Sequence, residues 1–179
     1  WDMEAAERSA RIVKGVIEEN PNHPGALHYL IHSYDDPGHA PMALPAAHAY
    51  SVVAADATHA LHMPSHIFVS VGMWDEVVSS NEASYAASVA RMQRKQLGDG
   101  ARGYHSYAWL HYGYLQQGRH AKAREQLEDM LKYVASEPHQ SARSYLIMMQ
   151  CNQLAETGIS PGDFPYDTTV NTKDLSINT

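Results

Sequence analysis

The sequence predicts an all-α protein, a right-handed solenoid of antiparallel helix pairs with about seven to eight helices. Three observations carry that expectation. Sliding the chain against itself by 34 residues sets ALHYLIHSY (26–34) on ALHMPSHIF (60–68), so that Ala26, Leu27, His28 and His32 fall on Ala60, Leu61, His62 and His66. A period of that length belongs to a helix–turn–helix unit that buries its apolar face only by stacking on its neighbours. Prolines and glycines fall at intervals that cut the chain into helix-sized pieces. Finally, 179 residues with 44% hydrophobic and 18% charged content can build a core, which disordered chains cannot.

The breakers place helices near 2–19, 24–35, 41–55, 60–71, 74–96, 103–117, 120–136 and 139–156. The first, WDMEAAERSARIVKGVIEEN, reads as the second helix of a preceding unit and is closed by Asn20-Pro21. Pro24, Pro41 and Pro138 stand near helix starts, where a missing N–H costs little. Gly38, Gly72 and Gly118 suit the turns within units. Pro45 and Pro64 mark late starts or kinks. After an insertion of 12 residues a third copy of the repeat runs from Tyr107 to Leu127. From Gly158 the periodicity stops, and 158–179 is expected to be an extended or disordered tail. The expected core comprises Leu27, Ile31, Tyr34, Leu61, Phe68, Trp74, Val77, Leu110, Tyr114, Ala123 and Leu127, with Cys151 joining it from an apolar stretch.

In the third copy Leu110, Tyr114, Gly118 and Ala123 keep the spacing of the tetratricopeptide packing signature, and the chain resembles that family over 24–57, 58–97 and 104–137. Partial units at about 1–20 and 138–157 complete one domain over 1–157. The resemblance implies that the first helix of each unit lines a concave groove.

Several function classes are disfavoured. A net charge of −7 argues against a nucleic-acid footprint, and no run approaches the length of a membrane span. Cys151 is alone, so no intrachain disulfide or cysteine metal cluster is expected, as in a reducing compartment. The start at Trp1, without an initiator Met, suggests a piece of a longer protein, and leaves localisation open. Arg91, Arg94, Lys95 and Arg102 read as a solvated basic face.

Histidine is the anomaly: there are 12, eight of them between His23 and His66. His28 and His32 share a helix face, which Asp35 continues, and His62 and His66 repeat the pair one unit later, preceded by His59. Stacked units bring helix axes to roughly 8–10 Å, a gap that facing imidazoles can close around an ion. The expected metal ligands are therefore His28, His32, His62 and His66, with Asp35 or His59 completing the shell. A metalloprotease helix is excluded, because Tyr29 and Met63 stand where the catalytic Glu would follow the first His. Histidines on helices also serve as caps or stack on aromatics, and this plainer role competes with ligation.

The stretches His23-Pro24-Gly25-Ala26-Leu27-His28-Tyr29-Leu30-Ile31-His32 and His62-Met63-Pro64-Ser65-His66-Ile67 resemble a subgroup of bacterial tetratricopeptide-like proteins with HPGAxHYxIH and HMP[SA]HI motifs. Relatives often carry Glu where this chain has Asp35 and His where it has Ala108. The resemblance implies that the four histidines face the groove, where His105, the counterpart of His59, and His111 could approach them.

Two functions remain open at this point. One is a solenoid holding a divalent transition metal (zinc, copper, nickel or iron), with hydrolytic or oxidative chemistry available if a coordination position stays open. The other is a peptide- or protein-binding module without metal, in which His59, Tyr29, His105 and Tyr112 belong to a polar-aromatic groove.

Overall fold

The computed structural model describes residues 2–55, 57–136 and 140–158, and among them every regular element is helical. The helices are α1 (Met3–Glu19), α2 (Pro24–Ser33), α3 (Ala40–Val53), α4 (Thr58–His62), α5 (Pro64–Ser70), α6 (Trp74–Arg94), α7 (Tyr104–Gln116), α8 (His120–Ser136) and α9 (Gln140–Thr157), with a single 3-10 turn at Asp99–Ala101 before α7. The expected boundaries hold to within a few residues. Pro138 and the tail from 159 lie outside the described residues.

Local chemistry explains the starts and stops. Asp2 caps α1 by accepting from the Ala5 N–H at 3.1 Å, and His23 Nδ1 does the same for α2 through the Ala26 N–H at 3.1 Å. Pro24 then occupies the first turn of α2, where its missing donor is harmless. Gly72 and Gly118 take φ of +73° and +69°, which only glycine adopts without strain, and so turn the chain from α5 into α6 and from α7 into α8. Pro45 sits inside α3. Pro64 divides the second unit's first helix into α4 and α5 at Met63. Met63 keeps right-handed helical angles (φ −52°, ψ −37°), so the chain continues in the same sense and the histidines on either side of the break stay together.

Each helix packs against its neighbours in sequence, and α2 also meets α5 and α7 meets α9. One core gathers α1 to α5 and the start of α6 around Ile31, Met63 and Ile67; a second joins α7, α8 and α9 around Leu127, Met130 and Met149. Ala40, Ala43 and Ala47 are fully buried, which lets α3 come close to its neighbours. Two expected core residues are only partly buried, Leu61 and Trp74. In the second unit the inward stripe is Ala60, Met63 and Ile67, spaced three and four apart, and Leu61 falls beside it. Cys151 is exposed, contrary to expectation, because it lies beside the buried Gln150 and off the α9 stripe Ala142, Leu146, Met149. Arg102 likewise leaves the solvated face: it pairs with Asp99 at 2.8 Å, bonds Tyr85 Oη and lies 4.3 Å from the Tyr133 ring centre.

Candidate metal centre

The histidines expected as one set form two groups of three. His62, His66 and His105 offer ring nitrogens that lie within 4.8 Å of one another, and so do His28, His32 and His59.

The inner group is built from three helices. His62 ends α4, His66 lies in the first turn of α5, and His105 is the second residue of α7. Their Nε2 atoms converge: His62 to His66 at 3.2 Å and His62 to His105 at 2.9 Å. His62 is 2% exposed. Trp109, one turn beyond His105, covers the group, with its ring centre 4.5 Å from that of His66 and 5.1 Å from that of His62.

Each ring is held from behind through its other nitrogen. His66 Nδ1 meets Asp35 Oδ2 at 2.8 Å, His62 Nδ1 meets Asn81 Oδ1 at 2.7 Å, and His105 Nδ1 meets Tyr145 Oη at 3.1 Å. These partners decide the tautomers. A carboxylate only accepts, so His66 Nδ1 carries the proton. Asn81 is fully buried and its Nδ2 donates to the Val77 carbonyl at 2.8 Å, leaving Oδ1 as the atom that accepts from His62. Whenever both rings are in the neutral form, His62 and His66 therefore direct two bare Nε2 lone pairs at each other across 3.2 Å. His105 can donate to one of them but not to both. A cation, a metal ion or a proton, must lie between the lone pairs to make the contact favourable.

Metal–imidazole bonds of about 2.0–2.1 Å place neighbouring ligand nitrogens roughly 2.9–3.4 Å apart around one ion, the range that two of these contacts occupy. The three donor nitrogens thus lie close enough together to hold one metal ion. Electrostatics favours ligation as well. Burial, together with the neighbouring His105, lowers the His62 pKa to about 3, although Asn81 acts in the opposite sense. Burial lowers that of His105 to about 4. Both rings are neutral at physiological pH, which is the ligating form.

The outer group is more exposed. His28 is half-buried while His32 and His59 are exposed. His28 Nε2 meets His59 Nε2 at 3.1 Å, and the His28 ring stacks on Tyr50 with centres 5.5 Å apart. Burial, followed by the nearby His32, lowers the His28 pKa to about 4, and partial desolvation by the neighbouring side chains first of all lowers those of His32 and His59. The groups adjoin, with the His32 and His66 ring centres 6.2 Å apart.

The remaining sequence candidates take other places. Asp35 orients His66 through Nδ1, the far side from the converging nitrogens. Tyr29 is 60% exposed beside His28, and Tyr112 packs edge-on against Trp74. His111 stands apart, fully buried and bonded to Gln153 Oε1 at 3.1 Å. Asn81, Tyr145 and Trp109 are the functional residues that sequence reasoning missed. Asn81 alone left a trace, a polar residue within the otherwise apolar or small stripe Val77, Val78, Ser84, Ser88 of α6.

No family model, curated protein or solved structure matches the chain.

Proposed function

We propose that this protein is a tetratricopeptide-like repeat scaffold that binds a divalent first-row transition metal through His62, His66 and His105. The observation that carries the reading is the convergence of the His62, His66 and His105 Nε2 atoms, with His62 and His66 each held by an acceptor behind its ring. A fold that sets a buried His62 lone pair against that of the half-buried His66 stores repulsion unless a cation joins them. Carboxylate and amide groups behind ligating imidazoles are the usual means of fixing tautomer and raising basicity. Three nitrogen ligands and no thiolate suit zinc, copper, nickel or iron, and leave coordination positions for a small ligand. The stacking of each helix on its sequence neighbours, with a 34-residue period, supports the repeat assignment.

The test is elemental analysis of protein purified without a histidine tag, beside His62→Ala and His105→Ala variants shown by circular dichroism to be folded. Stoichiometric metal in the parent, lower by one equivalent in both variants, supports the reading. Metal-free parent protein whose melting temperature is unmoved by zinc, copper, nickel or ferrous iron refutes it.

Peptide binding retains one favourable observation. A recess between α1 and α2, lined by Asp2, Ala6, Ser9, Tyr29, His32 and Ser33, presents an exposed tyrosine ring of the kind that anchors peptides. Its check is capture of a peptide partner by the parent chain and not by Tyr29→Ala.

A further inference from the structure

The geometry points to a second, weaker metal site formed by His28, His32 and His59, related to the first by the internal repeat; the inference builds on the metal-binding reading above. His28 and His32 precede His62 and His66 by 34 residues each, and His59 precedes His105 by the same period plus the 12-residue insertion. The structure makes the correspondence spatial. In both groups an H-x-x-x-H pair on one unit meets a single histidine from the first helix of the next unit, and in both an Nε2–Nε2 contact joins that histidine to the first member of the pair: His59 to His28 at 3.1 Å, His105 to His62 at 2.9 Å. The donors of each group lie within 4.8 Å. Chance would not set three histidines in one pattern twice in consecutive units. The insertion before α7 lengthens the connection without disturbing the relation.

The two sites differ in how they are supported. Among the described residues no side chain bonds Nδ1 of His28, His32 or His59, whereas Asn81, Asp35 and Tyr145 hold the three inner rings. The His28–His59 pair can also satisfy itself without metal, one ring donating and the other accepting, because nothing fixes both tautomers. Loss of such outer-shell partners lowers metal affinity about 10- to 100-fold, so the outer site binds more weakly and exchanges with solvent. Asp35, three residues past His32 and bonded to His66, sets a carboxylate beside both sites and offsets the repulsion between two cations.

The experiment is a zinc titration of the full chain by isothermal calorimetry, with competition against a chromophoric chelator to resolve the tight step. The variants are His59→Ala, at an exposed position, and His105→Ala, both checked for unchanged helicity. The expected result is two zinc ions per chain in the parent, the second bound at least 10-fold more weakly. His59→Ala should lose only the weak step, with the tight affinity held within threefold, and His105→Ala only the tight one. Two steps persisting in His59→Ala overturn the second site. A single step that vanishes in His105→Ala and survives His59→Ala also overturns it, while leaving the first site standing. No zinc binding by any form removes both.

Discussion

Asp35→Asn isolates the carboxylate behind His66 with almost no change of shape. Asp35 Oδ2 lies 2.8 Å from His66 Nδ1, and the two side chains are 26% and 18% exposed. A hydrogen bond to a charged partner is worth about 1.5–3 kcal/mol and a neutral one about 0.5–1.5. The amide keeps an acceptor for Nδ1–H, so the change removes the difference, about 1–1.5 kcal/mol. A partly exposed pair belongs at the lower end, which corresponds to roughly 5- to 10-fold weaker zinc binding. Asp35→Ala leaves Nδ1 to water and frees the ring to rotate, a loss of about 10- to 100-fold. Because the same contact stands without metal, metal-free stability should fall by no more than about 1 kcal/mol for the Asn variant. Competition with a chromophoric chelator at pH 7.5 gives the affinity, and urea unfolding of chelator-treated protein gives the stability. Affinity unchanged within twofold in both variants would show that the contact does nothing for the metal. A loss beyond about a thousandfold in the Asn variant would mean that Asp35 ligates directly, and the orienting role would be wrong.

The metal-free protein should lose stability in acid. His62 and His111 titrate near 3 and 4 in the folded chain, below the 6.5 of an unfolded one. The unfolded state therefore binds more protons, and the stability present above pH 6.5 falls away toward pH 4. Unfolding free energies of chelator-treated protein, from urea titrations at pH 7.5 and 5.5, should differ by about 1 kcal/mol for each of these two rings; equal values contradict the neutral buried histidines. Gly103→Ala should damage both fold and site, because an added Cβ would stand 2.6 Å from Ser88 Oγ, the group that accepts the Gly103 N–H. Displacing the start of α7 moves His105 two residues on, so a drop of about 1–3 kcal/mol in unfolding free energy should accompany weaker zinc binding; unchanged zinc affinity counts against His105 as a ligand. Copper(II) should quench tryptophan fluorescence through Trp109, whose ring lies against His62 and His66. In Trp109→Phe that quenching should largely vanish, and its persistence would place the copper elsewhere.

Helix boundaries were legible because they rest on local chemistry: Pro24 at a helix start, Gly72 and Gly118 at positive φ, Asn20 closing α1. The 34-residue phase also revealed which histidines are equivalent. It did not reveal their grouping, because that depends on distances across the stack. Two H-x-x-x-H pairs on adjacent units suggest one four-ring site, yet the first ring of each pair bonds a histidine of the next unit, His59 or His105. The correspondence of His105 with His59 was visible in the sequence; the shared contact was not. Asp35 was legible as a neighbour of the histidines but not as their support, since sequence spacing does not say which nitrogen a carboxylate will meet. Asn81 and Tyr145, 19 and 40 residues from the rings they bond, follow from tertiary packing alone. Leu61 shows the limit of a repeat alignment: it falls on the buried Leu27, yet the unit broken at Pro64 turns Met63 inward instead.

The tautomers of the inner histidines test the account most directly. Long-range proton–nitrogen correlation spectra of 15N-labelled protein distinguish Nδ1–H from Nε2–H rings and show which nitrogen binds zinc. With zinc, His62, His66 and His105 should each carry the proton on Nδ1 and show a coordinated Nε2. Protonated Nε2 atoms on His62 or His66 that persist at saturating zinc would contradict the converging lone pairs, and with them the metal centre.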